Sequence, residues 1–238
     1  MADPQEDRMA EQPHFVKYTF YKADPLWRRL PKDQKAAGAG EFLSSVDAWR
    51  DSMLVRTYNL QGTRGDADFL LWQVAPELSS IQQSFSDLAN TGLGQYLNVA
   101  YSYLAMTKHS PYVSGHTHAG QEGTGLTVRP KDATYFFVYP FVKTNEWYQL
   151  PMADRQRMMN EHFEIGHKYP GVKITTSYSF GLDDQEFMLG FETEKPEEFV
   201  DLIQALRSSQ GRPYTLRDTP IFTCVNTELK DILDTLVG

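Results

Sequence analysis

Two strand-like apolar runs stand far apart in the chain, Val16-Lys17-Tyr18-Thr19-Phe20-Tyr21 and Tyr135-Phe136-Phe137-Val138-Tyr139-Pro140. Each is followed by the same signature: Trp27-Arg28-Arg29-Leu30-Pro31 after the first, Trp147-Tyr148-Gln149-Leu150-Pro151 after the second. Further on, Asp66-Ala67-Asp68-Phe69-Leu70-Leu71 is echoed by Asp184-Gln185-Glu186-Phe187-Met188-Leu189. An acidic turn and an amphipathic helix come after each echo, near Leu78 to Leu88 and Pro196 to Leu206. The offset between the matched pieces is nearly constant, and a shared spacing is harder to reach by chance than either match alone.

Each half therefore reads strand, helix, strand, turn, strand, helix, strand. That order predicts an α+β fold, in which two ferredoxin-like halves with antiparallel sheets form a dimeric α+β barrel-like subunit. The expected division is a disordered tail at 1–13, an N-terminal ferredoxin-like domain at 14–118, a linker at 119–130 and a C-terminal domain at 131–238. The linker rests on Gly120, Gly123, Gly125 and Pro130 and on weak apolar periodicity. A loop of this length is either a lid over a site or a plain connector.

The 238 residues are 41% hydrophobic, enough for one large core or two small ones. A formal net charge of -8 argues against nucleic acid or an anionic membrane as the main partner. Cys224 is the lone cysteine, so an intrachain disulfide and a thiolate cluster are excluded, and a cytoplasmic location is the simplest expectation. No run approaches the roughly 20 apolar residues of a membrane span. Met1 to Gln12 is polar and charged, unlike a signal peptide.

The second half carries candidate chemistry. Pro151 opens a helix, Asp154 suits its positive end, and Tyr169-Pro170-Gly171 stops it. Met158, Met159, His162 and Gly166 fall on one stripe of that helix, so His162 points at an apolar face with the small Gly166 one turn along. Such a histidine is either a satisfied core residue or an axial ligand to a flat group such as haem. Covalent haem attachment is excluded, because there is no Cys-X-X-Cys-His motif. On the strand, Tyr139, Phe141 and Lys143 alternate onto one face. Lys143 either meets an anionic partner, such as a ligand carboxylate, or snorkels to water from an edge strand.

Val138-Tyr139-Pro140-Phe141-Val142, Glu146-Trp147-Tyr148-Gln149-Leu150-Pro151 and Arg157-Met158-Met159-Asn160-Glu161-His162 resemble the C-terminal half of the coproheme decarboxylases. Gly181-Leu182-Asp183-Asp184 and Phe191-Glu192-Thr193-Glu194 are similar to the wider chlorite dismutase superfamily. The likeness is detailed from about Lys108 to Thr223 and weaker before that. It implies that His162 is the proximal iron ligand, that Tyr139 becomes a radical and that Lys143 steers a propionate. It also implies that Arg207 lies near the outer propionates, with Arg212 near the same side. His109, in Lys108-His109-Ser110-Pro111, resembles the distal histidine of the actinobacterial-type branch, and His116 is the next candidate. Chlorite dismutases have a distal arginine where counting places Thr175, and they lack the strand tyrosine. Firmicute-type decarboxylases have a glutamine at the Thr175 position. Gly211 takes the place of the glutamate that hydrogen-bonds the axial histidine in chlorite dismutases.

The resemblance implies a peroxide-dependent oxidative decarboxylation. Iron coproporphyrin III is both substrate and redox centre, hydrogen peroxide the oxidant and haem b the product. It further implies a homopentamer and an upstream ferrochelatase as a partner. The competing expectations are a chlorite dismutase, a non-catalytic haem carrier and, weakest, a general peroxidase.

Overall fold

The computed structural model describes residues 12–113 and 126–238. His116, the glycine stretch from 120 to 125 and nearly all of the expected tail lie outside the described residues. The described chain forms two compact units, one of them the residues up to Met106 together with Thr223–Gly238, the other Thr107–Phe222.

The first unit contains β1 (Phe15–Ala23), α1 (Lys32–Asp47), β2 (Leu54–Asn59), β3 (Phe69–Ala75), α2 (Leu78–Ala89) and β4 (Leu97–Met106). Its strands pair antiparallel, β1 lying between β4 and β3 with β2 beyond β3. Helices and sheet meet in an apolar core that includes Tyr21, Trp27, Phe42, Val46, Phe69, Ile81 and Leu88. Phe42 stands edge-on to both Tyr21 and Phe69, with ring centroids 6.2 and 6.1 Å apart.

The second unit repeats the plan with β5 (Tyr135–Lys143), a short α3 (Asn145–Gln149), α4 (Met152–Gly166), β6 (Lys173–Tyr178), β7 (Phe187–Thr193), α5 (Pro196–Leu206) and β8 (Thr215–Arg217). Again the first strand lies between the fourth and the third, with antiparallel pairing throughout. The α+β ferredoxin-like class read from the repeat is what the chain adopts. Both long helices begin where the repeated Leu-Pro predicts, since Pro31 and Pro151 cap α1 and α4 with extended backbone. The core of this unit centres on Phe137, stacked on Phe199 at 4.0 Å, with Phe191 and Leu202 beside them.

The last segment groups differently from the sequence division, which gave 223–238 to the second half. After β9 (Phe222–Asn226), the helix α6 (Leu229–Val237) buries Leu229, Ile232, Leu233 and Leu236 in the core of the first unit. The indole N–H of Trp27 donates to the Leu236 carbonyl at 2.9 Å, fixing the helix there. An apolar stripe this strong goes where a core is open to receive it.

Candidate active site

In the second unit one wall of α4, the face of β5 that carries Tyr139, and parts of β6, β7 and the 207–218 segment enclose a cavity of about 510 Å³. That volume lies in the range of cofactor sites. Its lining is mostly aromatic and apolar, with Phe141, Trp147, Met159, Phe163, Phe187 and Leu189 among the walls.

The α4 stripe lies as the periodicity predicts: Met158, Met159, His162 and Gly166 all border the cavity. His162 is partly exposed to it. Burial pushes the His162 pKa down to about 4, with the Lys143 charge adding to the shift and Glu161 opposing it. The imidazole is therefore neutral near pH 7, with a lone pair to offer. A side chain on Gly166 would meet nothing within 4 Å, so the turn beyond His162 borders open space.

Tyr139, Phe141 and Lys143 reach the cavity from one strand face, as alternation requires. Tyr139 is 6% exposed and stacks on Phe191 at 5.6 Å. Burial, reinforced by the Asp218 charge and opposed by Arg207 and Arg212, pushes its phenol above the ordinary range. Lys143 ends β5, where the β7 ladder has stopped at Phe141 and β8 pairs Val142 and Lys143, and its side chain borders the cavity. Its ammonium lies 4.2 Å from the centroid of the Trp147 ring and 5.3 Å from that of Phe141. Burial brings its pKa down to about 8, the Arg212 charge in the same direction and Glu186 against it. Glu186 fixes the strand end: its Oε2 accepts the Lys143 backbone N–H at 2.7 Å and the Tyr148 hydroxyl at 2.6 Å.

Arg207 and Arg212 both line the cavity, and both donate to one oxygen of Asp218, at 2.7 and 2.6 Å. Lys108 and Arg155 border it as well, so among the described residues five cationic side chains face it against the single carboxylate of Asp218. His109 is an exposed lining residue on the segment that also brings Ser110, Pro111 and Tyr112 to the cavity. His116 lies outside the described residues.

One expectation needs correction. Thr175 does not face the cavity; it is 7% exposed, and its neighbours Ile174, Thr176 and Tyr178 are the β6 residues that line it. Adjacent residues of a strand point to opposite faces, so Thr175 stands on the face of β6 away from the cavity. None of the three lining residues is an arginine. Gly211 borders the cavity and offers no side chain. The next residue back, Gln210, has its N–H bound by the Glu161 carboxylate at 2.8 Å.

Sequence reasoning missed Asp218, Glu186 and Arg155 as site residues. Arg155 had a usable signal, since it falls on the helical stripe of Met159 and His162. Glu186 had one too, in the repeat that pairs it with Asp68, whereas Asp218 follows β8 in a connection that no local pattern marks. Taken together, the site suits a flat apolar group with anionic edges that accepts a neutral imidazole. An iron porphyrin bearing propionates has those properties.

The chlorite dismutase family model matches residues 33–227. A coproheme decarboxylase from Mycolicibacterium smegmatis is 32% identical over 177 residues, which is 74% of this chain and 74% of that protein. Among solved structures, a chlorite dismutase variant from Candidatus Nitrospira defluvii with cyanide matches at TM-score 0.88 and 28% identity, covering 100% of both chains. The imidazole complex of chlorite dismutase from that organism matches at TM-score 0.87 and 27% identity, covering 99% of this chain and 100% of the other. A haem-binding protein from Thermus thermophilus has the same fold, at TM-score 0.83 and 22% identity over 94% and 95% of the two chains.

Proposed function

The chain belongs to the chlorite dismutase family, and from that premise we propose that it is a coproheme decarboxylase, which turns two propionates of iron coproporphyrin III into vinyl groups and yields haem b. The observation that carries this reading is the shared cavity wall of His162, Tyr139 and Lys143. A haem carrier needs the histidine and has no use for a buried phenol and a half-buried ammonium on the same wall. The excess of cations in the lining, in a chain of net charge -8, further favours a porphyrin with many carboxylates.

The iron porphyrin, when bound, supplies the oxidising power that peroxide delivers. For each propionate, the electrons left by carbon dioxide loss and the β-hydrogen reduce one peroxide to water. His162 holds the macrocycle through its neutral imidazole. Lys143 pairs with the reacting carboxylate and brings it beside Tyr139, a positioning role. Tyr139, kept as the neutral phenol, carries at Oη the hydrogen it gives up when oxidised, and the vacancy then draws hydrogen from the propionate β-carbon. His109 takes the first proton of peroxide. The same reading places the protein in the cytoplasm as a homopentamer supplied by an upstream ferrochelatase.

Chlorite dismutase activity is the competing reading, motivated by the matched structures. The absence of an arginine among Ile174, Thr176 and Tyr178 opposes it. One experiment separates the two: load iron coproporphyrin III, titrate peroxide and follow the porphyrin by mass. Stepwise loss of two carboxyl groups is expected. An unchanged porphyrin, together with rapid oxygen release from chlorite, would overturn the proposal.

A further inference from the structure

Arg155 differs from the other cations of the cavity. Arg207 and Arg212 share Asp218, and Lys143 lies against two aromatic rings. The Nε of Arg155 is buried and has no hydrogen-bond partner among the described residues. A charged donor left in that state is costly, and the cost is recovered when an anion arrives to accept from it. The side chain stands on α4, on the stripe of Met159, His162 and Gly166 and seven residues before His162. At ~1.5 Å rise per residue it lies roughly 10 Å along the helix from the imidazole. A macrocycle centred on His162 would therefore present its edge, and not its centre, to Arg155. The positive charge of Arg155 is felt at Tyr148, whereas Arg207 and Arg212 act on Tyr139. The cations thus serve different parts of the wall.

We propose that Arg155 is a carboxylate anchor that pairs with a propionate other than the one Lys143 holds, and so fixes the in-plane orientation of the porphyrin. This rests on the porphyrin reading of the site. The guanidinium offers a planar pair of donors to a carboxylate, a geometry an ammonium cannot match. With one edge tied to Arg155, rotation about the His162 axis is restricted, and the propionate that meets Tyr139 is selected.

The test uses iron-free coproporphyrin III and its tetramethyl ester, which keeps the ring and removes the charge. Both are titrated from the same solvent stock into the full chain, wild type, Arg155→Gln and Arg155→Lys, with porphyrin fluorescence as the readout. Arg155→Gln should weaken the acid on the order of 10- to 100-fold, the loss typical of a hydrogen bond to a charged group. It should leave ester binding unchanged, and Arg155→Lys should recover part of the lost affinity. Wild-type affinity of Arg155→Gln for the acid would overturn the anchor. Equal losses for acid and ester would overturn it too, since that pattern is packing. If the wild-type chain binds neither compound, the porphyrin reading itself falls and takes the anchor with it, a result distinct from the other two.

Discussion

The two units are built on one plan, yet one is filled and the other hollow. Counted from the repeated Leu-Pro, Phe42 of α1 and His162 of α4 occupy the same helical place, and so do Val46 and Gly166 one turn on. In the first unit, Phe42 and Val46 are buried in the core, at 0% and 2% exposure. In the second, the matching places hold a partly exposed imidazole and a glycine beside open space. The strands tell the same story: Thr19, Tyr21 and Ala23 of β1 stand where β5 has Tyr139, Phe141 and Lys143. The carboxylate that ties the strand end is kept, Asp68 accepting the Ala23 N–H at 2.8 Å as Glu186 accepts that of Lys143 at 2.7 Å. What separates a core from a site is thus a few side chains on an unchanged frame.

That contrast breaks most visibly at Phe42 and His162. Phe42→Ala should destabilise the chain by about 3–5 kcal/mol, because the ring is enclosed and its place cannot collapse. His162→Ala should cost little stability, since the imidazole already borders space. It should instead abolish the histidine-ligated visible spectrum and weaken iron porphyrin binding by more than the ~10–100-fold that loss of an outer-shell partner costs. Denaturant melts and haem titrations of the pair read both effects. Comparable destabilisation by the two substitutions would mean that the second unit is not hollow at this place.

Gly166→Val copies the Val46 side chain into the cavity. A new Cβ there meets nothing within 4 Å, and a glycine in a helix is already unfavourable by about 1 kcal/mol relative to alanine. Thermal stability should hold or rise slightly while porphyrin affinity drops. Unaltered affinity would show that the macrocycle does not lie over this turn. Tyr139→Phe is milder still, keeping the ring volume and its stack on Phe191. Porphyrin should bind as before, and peroxide should leave the propionates intact by mass spectrometry. A normal haem b yield would remove Tyr139 from the chemistry.

The parts of this picture that were legible in the sequence are those with a local period. The stripe of Met158, Met159, His162 and Gly166 and the face of Tyr139, Phe141 and Lys143 follow from the helix and strand repeats. What periodicity does not reveal is whether a stripe meets side chains or space. Phe42 and His162 sit on equally regular patterns, and only the packing tells them apart. Thr175 shows a second limit, since neighbouring strand residues face opposite ways and a position found by counting need not face the site. Asp218 depends on where the chain turns after β8, and α6 on which core is open to its stripe. Both are tertiary facts without a local signature.

The smallest expected effect concerns the charge that replaces Ala23. Lys143 holds its proton below about pH 8 in the cavity, less firmly than a lysine in water, because burial and the Arg212 charge oppose it. In the unfolded chain that proton stays until the ordinary lysine range near 10.5. The burden of a buried charge is therefore present below pH 8, and stability recovers as the pH rises from about 8 towards 10.5. Carboxylate binding runs the opposite way. The ammonium attracts a propionate and the neutral amine does not, so affinity for iron-free coproporphyrin III should fall above pH 8, by at most about tenfold per unit for one proton. Three of the phenols that face the cavity, Tyr139, Tyr148 and Tyr178, are shifted above their ordinary value and keep their protons over this range. Lys143→Met keeps a flexible apolar stem against Trp147. It should bind the acid roughly 10-fold less tightly at pH 7, the cost of one charge-assisted hydrogen bond, and should lose the decline above pH 8. The tetramethyl ester should show no such decline with either protein. A decline that persists in Lys143→Met would place the titrating group elsewhere and leave Lys143 as a filler of the position that Ala23 occupies in the first unit.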